Sequence, residues 1–85
     1  MHKSFSPRGV CAARIEFDVE DGVIRNCRFT GGCDGNHKGL CALVEGRDAA
    51  DCAERLRGIR CGMRQTSCPD QLARAIDEAL AGADN

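Results

Sequence analysis

Seven cysteines in 85 residues carry nearly all the chemistry open to this chain. Four of them sit where the residue pattern predicts breaks in secondary structure. Cys11 follows "RGV", Cys33 lies in "GGCDG", Cys61 lies in "RCG", and Cys68 stands directly before Pro69. A thiol in a turn can be a nucleophile, a redox group or a soft metal ligand, and thiolate character is common to all three. Cys68, at the start of a helix, is expected to have a lowered pKa because the helix N-terminus favours negative charge. Four thiols from two local pairs fit tetrahedral Zn²⁺, and Cys11, Cys33, Cys61 and Cys68 are the candidate ligands. A four-iron cluster takes the same donor set and stays open as the alternative. The spacings, C-x21-C and C-x6-C, are wider than those of a zinc ribbon or knuckle. A reversible Cys61–Cys68 disulfide is the redox alternative. His37, four residues after Cys33, could replace a ligand, but a solvent-facing side chain is the expectation.

The other three thiols read as structural. Cys27 falls on the inward parity of a strand, and Cys41 and Cys52 fall within helices beside apolar residues. Free cysteine packs as a small hydrophobe, so a core role is expected for all three. The chain has no Ser/His/Asp arrangement for catalysis. The glycine-dense stretch "GGCDGNHKG", residues 31–39, admits phosphate binding with Lys38 adding charge. It has neither the Gly-Lys-Ser/Thr ending of a Walker A loop nor the spacing of a dinucleotide fingerprint. Tight turns around Cys33 explain these glycines better.

The elements that must position the thiols follow from periodicity. Residues 12–19, "AARIEFDV", alternate, with Ala13, Ile15, Phe17 and Val19 on one side. "EDG" at 20–22 marks a turn, and "VIRNCRFT" returns as a second strand with Val23, Cys27 and Phe29 facing inward. A three-residue loop pairing Val19 with Val23 and Ile15 with Cys27 keeps the apolar set on one face, and places Cys11 opposite Gly31. Asn36 is expected to cap a short helix carrying Leu40, Leu43 and Val44, ended by Gly46. Asp48 and Asp51 resemble a capping box for "AADCAERL", ended by Gly58. A last helix from about Pro69 to Ala81 shows the stripe Leu72, Ala75, Ile76, Ala79 and Leu80. The order ββααα predicts one α+β domain over residues 1–85: a β-hairpin, extendable to a small antiparallel sheet, packed by two or three helices. Residues 1–9 and 82–85 are expected to be loosely ordered.

Composition narrows the function classes. Three Phe are the only aromatics, so the core is thin and a staple such as a metal is of use. A structural zinc site can supply apparent binding energies of about 10–16 kcal/mol that become folding energy. Twelve basic and thirteen acidic residues give a net charge of −1 without a basic stripe, which argues against nucleic-acid binding. The longest apolar run, "LCALV", is too short to span a membrane. The start "MHKSFSPRG" lacks the apolar stretch of a secretion signal. With an odd thiol count, this predicts a reducing, cytoplasmic setting.

The stretches "SPRGVC" (6–11), "FTGGCDGNHKG" (29–39), "LRGIRCG" (56–62) and "TSCPDQLARAI" (66–76) resemble the TSCPD-domain family, most closely its small stand-alone four-cysteine branch. Matched motif by motif, the family cysteines fall on Cys11, Cys33, Cys61 and Cys68. Cys27, Cys41 and Cys52 lie outside the family pattern. The same domain type stands at the C-terminal end of cobalamin-dependent (class II) ribonucleotide reductases. The resemblance therefore implies an association with deoxyribonucleotide synthesis, and stand-alone members often carry the label ribonucleoside-diphosphate reductase. Radical reduction of a ribonucleotide needs a barrel, a cofactor site and a nucleotide pocket that 85 residues do not hold. The implied role is an accessory, metal-binding domain with a reductase or related protein as partner.

Overall fold

The computed structural model describes residues 1–32 and 34–82, Asp34 by its backbone alone. Strands β1 (His2–Phe5), β2 (Arg14–Glu20) and β3 (Val23–Thr30) form an antiparallel sheet in that order, followed by helices α1 (Asp34–Val44), α2 (Ala49–Leu56) and α3 (Cys68–Ala81). This is the expected α+β arrangement, with one strand more than the hairpin. The first residues pair with β2, His2 opposite Asp18 and Phe5 opposite Ile15, and the Met1 ammonium donates to the Val19 carbonyl at 3.0 Å. The backbone groups of residues 2–5 are thus taken up by the sheet edge. Residues 83–85 lie outside the described residues.

The hairpin closes differently from the three-residue loop read from the sequence. Glu20 pairs with Val23 across a two-residue turn, with Asp21 at φ 53° and Gly22 at φ 79°. Asp-Gly suits such a turn because both positions need positive φ. Val19 therefore faces Ile24 rather than Val23, and Ile24 is the fully buried residue. Left uncorrected, this register would turn Cys27 and Phe29 outward. A bulge restores them: between Asp18↔Arg25 and Glu16↔Arg28, both Asn26 and Cys27 stand opposite Phe17. Asn26 takes φ 56°, its N–H donates to Glu45 Oε1 at 2.8 Å, and its side-chain amide donates to Asp18 Oδ2 at 3.0 Å. Below the bulge Ile15 pairs with Phe29, and Gly31 packs by Ala13 rather than lying opposite Cys11. Ala12 is buried and Ala13 exposed, the reverse of the simple alternation.

Helix α2 begins as read, with the Asp48 carboxylate accepting the Asp51 N–H at 2.9 Å. Helix α1 begins at Asp34, two residues before the expected Asn36 cap, and Leu43 on it is exposed. On α3 the stripe Leu72, Ala75, Ile76 and Ala79 is buried, joined by Ala73. Leu80 is 45% exposed. Phe17 is the one aromatic among the largest fully buried side chains, in one core cluster with Ile15, Ile24, Leu72 and Ile76. Alanines at 49, 53, 73, 75 and 79 fill much of the rest, and their small side chains let α2 and α3 approach closely. No helix among the described residues is long and apolar enough to cross a membrane.

Candidate metal centre

Three separate segments meet at the sulfur of Cys68. That residue opens α3, whose N-cap is Ser67: its hydroxyl oxygen accepts the Asp70 N–H at 3.2 Å and its proton goes to the Ile59 carbonyl at 2.6 Å. Pro69 occupies the first turn, where a missing N–H costs nothing. The buried Asp70 carboxylate then ties the connector to the helix start, accepting from the Gly58 N–H at 2.8 Å, the Thr66 hydroxyl and Arg74 Nε. Burial pushes the Asp70 carboxyl up, but Thr66, Gly58 and Arg74 together outweigh it and leave the pKa below the ordinary value. Those bonds fix where Cys68 stands.

Against it come Cys11, from the loop before β2, and His37, from the first turn of α1. The ligand atoms of Cys11, His37 and Cys68 all lie within 4.8 Å of one another. His37 is 5% exposed, so the expectation of a solvent-facing histidine is corrected. Because α1 starts at Asp34, the imidazole turns inward. It stacks on Phe29 with centroids 4.4 Å apart and planes at 19°, and its Nε2 lies 3.1 Å from Cys68 Sγ. Its Nδ1 is buried and has no hydrogen-bond partner among the described residues.

Gly32 makes this approach possible. At φ 79°, a Cβ on it would lie 2.6 Å from Cys11 Sγ and 2.8 Å from His37 Cε1. Two side chains thus occupy the volume that any other residue would claim, which supplies a specific reason for a glycine there.

The thiol of Cys68 is pushed up by burial; the Ala12 backbone N–H opposes this, and the thiols of Cys11 and Cys61 raise it further. Desolvation and sulfur neighbours thus act against the lowered pKa expected from the helix terminus alone, and the shift is upward. Neighbouring thiols that resist joint ionisation are what a cation would relieve, since a bound metal reverses the local preference. Soft sulfur with imidazole is also the donor chemistry of zinc, whose ligand atoms in a tetrahedral centre stand about 3.5–3.8 Å apart. The residues present fit such an ion.

Of the four cysteines read from the sequence, Cys11 and Cys68 are brought together. Cys61 stands outside the tight group, on the exposed connector, where its N–H donates to the Thr66 carbonyl at 3.2 Å and its carbonyl accepts the Arg64 N–H at 3.0 Å. It is near enough to raise the Cys68 thiol. Cys33 lies outside the described residues. Cys52 belongs to the core as read, and Cys27 packs against its margin. Sequence reasoning underrated His37. The available signal was its C-x3-H spacing from Cys33, within the range that metal sites use.

The TSCPD-domain family model matches residues 1–80. No curated protein and no solved structure matches the chain significantly.

Proposed function

The chain belongs to the TSCPD-domain family, and we propose that it acts as a non-catalytic metal-binding accessory domain. In this reading the metal is Zn²⁺, and the ligands are drawn from Cys11, Cys33, Cys61 and Cys68. The observation that carries the proposal is the convergence of Cys11, Cys68 and His37 within 4.8 Å from three segments distant in sequence. Burial of His37 beside two thiols favours a variant of the same reading, in which its imidazole takes one of the four places. The domain serves ribonucleotide reduction as a partner of a reductase, in the reducing cytoplasm. That part rests on the resemblance to the C-terminal domain of class II reductases, a kinship at the level of the domain.

Elemental analysis of the reduced protein with its visible spectrum tests the proposal. The expected result is one zinc per chain, no visible absorption, and loss of structure when a strong chelator is added. Absorption from an iron–sulfur cluster would replace zinc in this reading. A folded, metal-free protein would sink it and leave the thiol redox role of Cys61 and Cys68 as the next to test. The phosphate reading of residues 31–39 draws less support, because the Cys11 and His37 side chains fill the space beside Gly32.

A further inference from the structure

The three cysteines outside the metal centre differ from one another. Cys52 is sealed at 4% exposure, whereas Cys27 on β3 and Cys41 on α1 are half-buried and line one surface cavity of about 330 Å³. Their thiols are close enough across the gap between strand and helix to shift each other's titration. Arg28, Phe29, His37 and Lys38 complete the lining. A thiol pair in contact therefore opens onto a pocket that carries two cationic side chains. Partial exposure separates these two thiols from the sealed Cys52 and leaves them open to reaction, although Glu45 is the charged group that acts on both.

We infer that Cys27 and Cys41 form a dithiol site that exchanges with small anionic disulfides of the glutathione class. The inference stands apart from the metal reading, since neither sulfur belongs to the group formed by Cys11, His37 and Cys68.

The two thiols take different parts. The neighbouring Cys41 thiol is the largest influence on Cys27 and burial adds to it, and both push the Cys27 pKa up. Cys27 and the Phe29 backbone lower the Cys41 pKa, burial and Glu45 oppose them, and the balance leaves it below the ordinary value, so Cys41 is the attacking thiol. Cys41 Sγ attacks one sulfur of the incoming disulfide, forming a mixed disulfide and expelling one small thiolate. Cys27 then loses its proton and attacks the Cys41 sulfur, closing a Cys27–Cys41 disulfide and releasing the second small thiol. The protein gives up two electrons and two protons, and the small disulfide becomes two thiols. Arg28, which also pairs with Glu16 at 3.9 Å, and Lys38 line the same cavity as the two thiols.

Trypsin separates the partners, because Cys27 falls in peptide 26–28 and Cys41 in peptide 39–47. The reduced, zinc-loaded full chain is treated with oxidised glutathione, remaining thiols are alkylated, and the digest is read by mass spectrometry. The expected product is peptide 26–28 disulfide-linked to 39–47 as the dominant linkage, with metal content unchanged. In Cys27→Ser the glutathione adduct should accumulate on Cys41, because no resolving thiol remains. A wild-type digest in which Cys41 stays alkylatable, or is linked to any cysteine other than Cys27, overturns the inference. The wild-type measurement needs no substitution, so a poorly folding variant leaves it decisive. Metal loss on its own would count against the metal reading, not against this one.

Discussion

The imidazole Nε2 of His37 lies 3.1 Å from Cys68 Sγ, which joins the first turn of α1 to the first residue of α3. Phe29 backs the ring at 4.4 Å, so its orientation is set by packing as well as by the sulfur. Replacing His37 by Ala should lower metal affinity about 10–100-fold, the range typical when a group orienting or completing a metal site is removed. Competition with a chromophoric chelator measures it. Unchanged affinity would remove His37 from the site.

Gly32 and Gly58 offer a matched pair. Both have positive φ, 79° and 85°, but a Cβ on Gly58 meets nothing within 4 Å, whereas one on Gly32 meets Cys11 and His37. Gly58→Ala should cost only backbone strain, about 1–2 kcal/mol by urea denaturation. Gly32→Ala should cost more and should also displace bound metal. Equal losses in both variants would show that the close approach at Gly32 has no consequence.

The seven cysteines are predicted to split by role when each is changed to Ser. Cys68→Ser should abolish stoichiometric metal binding, because it removes the sulfur at which the three segments meet. Cys52→Ser should keep the metal and lose about 1–3 kcal/mol of stability, the cost of a poorly satisfied hydroxyl in an apolar core. Metal analysis beside thermal melts separates the two. Metal retained by Cys68→Ser would contradict the assignment.

Asp70 gives the pH dependence. Its carboxyl has a folded pKa below the ordinary 3.8, so the stability it contributes is complete above the unfolded value. That contribution is lost as pH falls below 3.8 through the folded pKa. Asp70→Asn should therefore cost about 1–3 kcal/mol near pH 7, from buried donors left unpaired. The gap between variant and wild type should narrow below about pH 4, where the unfolded-state Asp begins to protonate. Denaturation curves at pH 7 and pH 3 read both; a gap that stays constant would refute the linkage.

Much of this was legible from local pattern. Asp48 before "AADCAERL" marked a helix start because capping is settled within one turn, and the structure keeps it. The position of Cys68 at a helix N-terminus followed from Pro69 for the same reason. Alternation in 12–30 located two strands and their turn, since side-chain direction along a strand depends only on parity. Parity also explains the failure at Val23 and Ile24. A two-residue turn with a compensating bulge at Asn26 gives Cys27 and Phe29 the same facing as a three-residue loop without one.

The amino-acid order by itself determined the α+β class and where α2 and α3 begin. Only the tertiary structure decided that His37 turns inward onto Phe29 and Cys68, that residues 2–5 complete the sheet, and that Cys27 touches Cys41. The difference is one of range. Caps, turns and periodicity are energies of neighbours within a few residues, whereas a histidine beside a sulfur 31 residues away depends on how helix and strand settle against each other. The burial of Cys68 likewise raises a thiol that its helix end alone would have lowered.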